Sequence, residues 1–280
     1  MHITIIGLGL IGGSLARDLR ANGFATQLTG VDSTPLHREQ ALSLGLVDEI
    51  RPLPEAVAAA DMVVLAVPVK SIITLLHEVL NWLRPDAVVT DMGSTKDEIA
   101  RNLASHPRRR QLVLAHPMAG TEYSGPTAAV SNLFQGKAAI ICNAHESDPE
   151  AVRRVERLFK SLFMRILHME ARDHDVHAAF VSHISHITSF VLALTVLEKE
   201  KSEANIFNLA SGGFASTVRL AKSSPRMWND VYEQNTEAIL EVLDSYLAKM
   251  KVFRDHIAGR EFQQTYQLME EANQIGRILS

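Results

Sequence analysis

Along the first 170 residues, short apolar runs at 3–6, 27–31, 62–67, 87–90 and 112–115 are separated by segments whose apolar positions recur with helical spacing. A run that is apolar on both faces belongs inside a sheet. Its alternation with helices predicts parallel strands joined by crossover helices. Two further runs, at 137–142 and 165–169, flank a helix expected to open at Asp148-Pro149, where a capping carboxylate precedes a proline suited to the first turn. They are expected to extend the same sheet. From about residue 171 strand-like runs stop, and amphipathic helical stretches cover 173–201, 228–256 and 261–279. The expected architecture is α/β: a doubly wound parallel sheet over 1–170, followed by an all-helical domain over 171–280.

The first strand runs straight into Gly7-Leu-Gly-Leu-Ile-Gly12, so a G-x-G-x-x-G motif joins a strand to a helix. Gly7 permits the tight turn, Gly9 lets backbone approach a pyrophosphate, and Gly12 lets helix and strand pack closely. The N–H groups of Leu10 and Ile11, at the helix N-terminus, face the phosphates. The second strand ends in Asp32, about 20 residues past the motif, where a carboxylate accepts hydrogen bonds from ribose hydroxyls. This is a Rossmann-type signature, and the alternative is a glycine-rich turn with Asp32 as a helix cap. Asp32 repels a 2'-phosphate, and Ser33 and Thr34 follow it, so NAD is expected over NADP, although His37 and Arg38 lie nearby. The strand over 62–67 closes on Val67-Pro68, which is expected to turn the chain across the mouth of the sheet and line the nicotinamide pocket.

A chain of 280 residues that is 46% hydrophobic can bury two cores. The net charge of −4 offers no basic surface for nucleic acid or anionic lipid. Arg108, Arg109 and Arg110 form an isolated basic triplet, expected to be a solvated loop unless a phosphate lies near it. One cysteine, Cys142, allows no internal disulfide and no Cys/His zinc spacing, which suits a cytoplasmic compartment. The apolar start lacks a basic leader and is broken by glycines, unlike a signal peptide. No later stretch is expected to reach the roughly 20 apolar residues of a membrane span.

Ligands of doubly wound sheets bind beyond the carboxyl ends of the strands. Two polar clusters fall there: Asp91-Met-Gly-Ser94-Thr-Lys96, and His116-Pro-Met-Ala-Gly-Thr121-Glu122. Adjacent strands are expected to bring Ser94 and His116 together. There a neutral imidazole takes a hydroxyl proton while hydride leaves the same carbon, with the serine orienting both groups. The competing reading of His116 is a loop cap. In the helical half, Ser182 and His186 are four apart and share a helix face, whether for substrate or for packing. His183 and His186 lack a visible third ligand, so no metal is expected. Arg219 lies among small and apolar residues and requires an anion, either a substrate carboxylate or a structural glutamate.

Taken together, the Gly7–Ser14 motif, Asp91–Lys96, His116–Glu122, Ser182-His-Ile-Ser-His186, and Arg219 followed nine residues later by Trp228 resemble the prephenate and arogenate dehydrogenase family of tyrosine biosynthesis. The resemblance spans essentially the whole chain. It implies NAD-dependent oxidation of a cyclohexadienyl alcohol with loss of the ring carboxylate, giving 4-hydroxyphenylpyruvate from prephenate. It implies that His116 accepts the hydroxyl proton, Ser94 positions that hydroxyl, and Arg219 holds the carboxylate. His186 and Ser182 would meet the side chain, Glu122 and Thr121 would shape the pocket, and Trp228 would reach the site from a partner subunit in a homodimer built through the helical domain. His186 favours prephenate, since some arogenate-specific relatives have an apolar residue there. Ala215 stands where relatives commonly carry a basic residue, which bears on substrate affinity. With the chain ending at Ser280, no fused mutase or regulatory domain is expected. The rival readings are another two-domain NAD enzyme with a helical second half, such as a β-hydroxyacid dehydrogenase or imine reductase, and a noncatalytic NAD sensor.

Overall fold

The structure, a computed structural model, describes residues 1–203 and 205–278. Eight strands form one sheet: β1 His2–Ile6, β2 Gln27–Val31, β3 Glu49–Ile50, β4 Met62–Leu65, β5 Val88–Asp91, β6 Leu112–Pro117, β7 Ala138–Cys142 and β8 Arg165–Met169. Their order across the sheet is β3-β2-β1-β4-β5-β6-β7-β8, so the chain reverses direction of travel between β1 and β4. That reversal opens the crevice in which such sheets bind ligands.

Helices α1 (Leu10–Ala21), α2 (Pro35–Ser43), α3 (Leu53–Ala59), α4 (Val69–Trp82), α5 (Asp97–Leu103) and α6 (Pro149–Ser161) cover the two faces. They sit over two apolar clusters, one centred on Ile3, Ile5 and Leu15, the other on Val63, Leu65, Leu76 and Leu80. Asp148 opens α6 as expected, its side chain accepting the Glu150 N–H at 2.8 Å.

Four details of the sheet half depart from the sequence-based expectation. The two-residue strand β3 is too short to leave a periodic signal. β4 ends at Leu65, so Val67 and Pro68 lie past the ladder, and Pro68 caps α4. β7 runs antiparallel to β6, because the 20-residue segment between them contains no crossover helix, only a short 3-10 turn at Pro126–Ala128. Arg109 is buried, donating to Glu146 at 2.6 Å and to the Leu112 carbonyl at 2.8 Å, so the basic triplet is partly structural rather than a solvated loop.

After Met169 the chain is helical: α7 (Ala171–Ala178), a π-helical turn (Ala179–His183), α8 (Ile184–Glu200), α9 (Gly212–Thr217), α10 (Pro225–Gln234), α11 (Thr236–Ala258) and α12 (Phe262–Ala272). The stretch read as one helix over 228–256 is broken at Asn235, whose side chain is drawn off to the Asp175 carbonyl and His183. The helix expected over 261–279 ends at Ala272 and continues as a 3-10 segment to Arg277, its last expected residue lying outside the described ones. The continuous helical run Ala171–Glu200 is long and apolar enough, by length and composition, to cross a membrane, contrary to the expectation that no stretch would be. Its charged residues gather at the two ends, Arg172, Asp173 and Asp175 at one and Glu198, Lys199 and Glu200 at the other, and the middle carries only histidine, serine and threonine as polar residues.

Candidate active site

The carboxyl ends of β1, β4 and β5 are level, with Ile6 beside Leu65 and Leu65 beside Asp91. At this edge Gly7 has φ of +93°, and a Cβ on it would stand 2.4 Å from the Ala66 carbonyl oxygen. A Cβ on Gly12 would be 1.9 Å from the Gly7 oxygen. Both glycines are demanded by the fold. At Gly9 a Cβ would meet nothing within 4 Å, so the packing places no demand there and the space is free for a ligand. Leu10 and Ile11 begin α1, and their N–H groups have no intrahelical acceptor.

Asp32 is held as an acceptor at the end of β2. One oxygen takes the Leu8 N–H and the other the Thr34 N–H, each at 2.9 Å. The Arg38 guanidinium is spent on the backbone carbonyl of Asp32 at 2.9 Å. A cleft lined by Val31, Asp32, Arg38, Ile50 and Leu53 adjoins the carboxylate. The glycine crest, the helix N-terminus and this carboxylate together fit a dinucleotide.

Further along the edge, β5 delivers Asp91 and the turn after it. Lys96 folds back so that its ammonium meets the Asp91 carboxylate, and both side chains are wholly buried. Asp91 also accepts the Gly93 N–H at 2.9 Å, which shapes the turn carrying Ser94. β6 places His116 three residues beyond Val113, the partner of Thr90. Among the described residues the Ser94 hydroxyl has no hydrogen-bond partner, so Ser94 does not orient the His116 ring directly. The ring is engaged from the other side: His116 Nδ1 lies 2.8 Å from His174 Nε2, and His174 Nδ1 lies 2.8 Å from Asp175 Oδ1. Burial pushes the His116 imidazole well below its usual range, and neighbouring His174, Lys96 and His183 add to the effect.

His174 and Asp175 come from α7, the first helix after the sheet. The sequence reading missed both of them and Asn235, and although it quoted Lys96 and His183 within motifs it gave neither a buried role. The only signal of the first two was His174-Asp175 sitting in a polar stretch at the boundary. His183 is buried in the π turn, and its pKa is lowered from 6.5 to about 4, chiefly by burial, with Asp175 partly opposing. The unfolded chain takes up this proton near pH 6.5 while the native state refuses it until about pH 4. Stability is therefore complete above pH 6.5 and falls as the pH drops towards 4. Unfolding free energy from urea titrations should be smaller at pH 5 than at pH 7 by about 2 kcal/mol or more, at 1.36 kcal/mol per pKa unit. A flat profile across that interval would refute the buried neutral state.

The helical half supplies the remaining wall. His186 stacks on Trp228 with ring centroids 3.7 Å apart and planes at 28°, and its Nδ1 lies 3.2 Å from the Ser182 carbonyl. Within one chain Trp228 is buried against His186, brought there by α10 packing over α4. Arg219 is exposed, 3.4 Å from Glu122, which resolves its expected anionic partner in this state as a glutamate. Thr121 is exposed beside it, accepting the Tyr123 N–H at 3.3 Å, and Ala215 is exposed on α9. Among the described residues, no group of three or more His, Cys, Asp or Glu side chains is placed to hold a metal ion.

Two family models match this chain: the prephenate dehydrogenase nucleotide-binding domain over residues 15–168, and the prephenate dehydrogenase dimerization domain over 170–271. The chain belongs to the prephenate dehydrogenase family. Cyclohexadienyl dehydrogenase of Zymomonas mobilis is 33% identical across 93% of this chain and 89% of its own length. Prephenate dehydrogenase of Bacillus subtilis is 30% identical across 96% of this chain and 74% of its own. The crystal structure of prephenate dehydrogenase from Aquifex aeolicus, in complex with hydroxyphenyl propionate and NAD+, superposes with a TM-score of 0.92 at 28% identity, covering 100% of this chain and 98% of that one. Membership of the prephenate dehydrogenase family makes the chain an NAD-binding oxidoreductase and sets it in a different family from the β-hydroxyacid dehydrogenases and imine reductases.

Proposed function

We propose that the chain oxidises and decarboxylates prephenate to 4-hydroxyphenylpyruvate, with NAD as cofactor. The observation that carries the reading is the His116 imidazole at the tip of β6, its pKa held well below the usual range chiefly by burial, on the same sheet edge as the glycine crest. Gly7, Gly9 and Gly12, with the amides of Leu10 and Ile11, hold the pyrophosphate, Asp32 holds the adenosine ribose, and Val67 and Pro68 border the nicotinamide. NAD supplies the hydride acceptor when bound.

His116 takes the proton of the ring hydroxyl as the carbinol carbon loses hydride, and Ser94, free of protein partners, holds that hydroxyl. The ketone so formed drains the electrons of the breaking ring–carboxylate bond, and aromatisation drives the loss of carbon dioxide. Arg219 exchanges Glu122 for a substrate carboxylate, with Thr121 at the rim, and His186, braced by Ser182 and Trp228, meets the pyruvyl group. The domain boundary falls between residues 170 and 171. Val181, Val191, Leu194 and Leu197 on the π turn and α8, and Leu240, Leu247 and Met250 on α11, are exposed in one chain. A second copy covers these apolar faces, making a cytoplasmic homodimer.

Purified protein with NAD should reduce it rapidly when given prephenate, followed by nicotinamide absorbance. Turnover of arogenate alone would keep the chemistry and overturn the substrate; turnover of neither would overturn the reading. Arg219→Ala should raise KM for prephenate with little change in kcat, the loss of a charge-assisted bond costing about 1.5–3 kcal/mol. An unchanged KM would make Arg219 purely a partner of Glu122.

A further inference from the structure

A base at His116 works only if its free nitrogen faces the substrate, and a neutral imidazole can carry its proton on either nitrogen. The neighbours decide which. Asp175 accepts the Lys96 backbone N–H on Oδ1 at 2.8 Å and the Asp97 N–H on Oδ2 at 2.9 Å, so both its oxygens are fixed as acceptors. The nitrogen 2.8 Å from Oδ1, His174 Nδ1, must then carry a proton. A neutral His174 consequently has a bare Nε2. The group 2.8 Å from that lone pair, His116 Nδ1, must donate to it. The proton of His116 is thereby placed on Nδ1, and its Nε2 lone pair is left for the ligand.

Resting on the reading of His116 as the base, we propose that His174, oriented by Asp175, is a positioning residue that holds His116 in its Nδ1–H tautomer. When the substrate O–H bond breaks, the proton forms a new N–H bond at His116 Nε2, and no proton need leave the chain. The imidazolium so formed keeps donating Nδ1–H to His174, in line with the Asp175 carboxylate. The opposite arrangement, a doubly protonated His174 donating to His116, would put a cation next to His183 and against a His116 already in the field of Lys96. It would also turn His116 Nε2 into a donor and disable the base. Because His174 stands on α7 while His116 stands on β6, the base is assembled only where the helical half docks on the sheet.

Long-range ¹H–¹⁵N spectra of histidine-labelled protein at neutral pH test this directly, with the His116 signals assigned by their loss in His116→Gln. A protonated Nδ1 and a bare Nε2 on His116 are expected. Protonation on Nε2 would overturn the proposal, whether or not the protein turns over prephenate. In turnover, His174→Gln keeps a carbonyl acceptor for His116 Nδ1 and should retain kcat to within about tenfold. His174→Leu removes the acceptor and should lose roughly 10²-fold in kcat, the scale of a misplaced base, with both KM values little changed. Wild-type kcat in His174→Leu, or an equal loss in both variants, would also overturn it. An inactive wild-type protein with the expected tautomer would defeat the proposed function instead.

Discussion

Replacing His116 by Asn should lower kcat by roughly 10²-fold or more while leaving the affinity for NAD nearly unchanged, the usual scale for losing a positioned base. The amide is close to the imidazole in size, so the tip of β6 keeps its packing, but it cannot take a proton at neutral pH. The glycine crest and Asp32 stand on β1 and β2, three or more strands from β6 in the sheet, and the substitution does not touch them. Steady-state kinetics with saturating prephenate, alongside NAD binding by fluorescence or calorimetry, measure the two quantities separately. Turnover equal to wild type would remove His116 from the chemistry. A parallel collapse of NAD affinity would mean that the edge of the sheet had been disturbed.

Lys96→Met should destabilise the folded chain by about 3–5 kcal/mol, among the largest effects available to one substitution. Lys96 and Asp91 are both wholly buried, and among the described residues the ammonium is the only cation in contact with that carboxylate. Methionine fills the same volume and leaves Asp91 charged, with only the Gly93 N–H at 2.9 Å and a long 3.4 Å contact from the Ala115 N–H. Removing both charges as Lys96→Met with Asp91→Asn should recover most of the loss, since an uncharged buried pair has no unpaired ion to desolvate. Urea denaturation of the two single variants and the double variant closes the cycle. A single-variant cost under 1 kcal/mol, or no recovery in the double, would show that the pair is not buried as described.

Local rules carried the reading of the first half. β1, β2 and β5 to β7 lie where apolar runs predicted them, because a strand covered on both faces is largely apolar, and β8, at the sheet edge and mostly exposed, lies where its mixed run did. Asp148-Pro149 opened its helix because capping is decided within one turn. The glycine crest and Asp32 were legible for the same reason: turn geometry and close approach impose residue types at fixed spacing. What escaped were features with no local cost or signal. The direction of β7 depends on what the 118–137 segment does in space, and the burial of Arg109 depends on Glu146, 37 positions away.

The candidate site divides along the same line. His116, Ser94, His186 and Arg219 were picked out because strand ends and short motifs can be read in one dimension. His174, Asp175 and Asn235 look in sequence like ordinary polar positions of helices and turns, and the motifs holding Lys96 and His183 do not disclose that both are buried. Only the docking of α7 on the edge of the sheet joins His116 to His174 and gives Asp175 to the start of α5. Trp228 meets His186, 42 positions earlier, only because α10 packs back over the chain, and the helix break at Asn235 again answers to distant partners, Asp175 and His183. The sequence by itself determined the class of fold, the cofactor cradle and the residue types of the chemistry, since each follows from backbone geometry over a few neighbouring residues. The surroundings of His116, the buried Lys96–Asp91 pair and the partner of Arg219 were decided only by the tertiary structure. Desolvation and hydrogen bonding act between groups that folding brings within 3 Å or so, however far apart they stand along the chain.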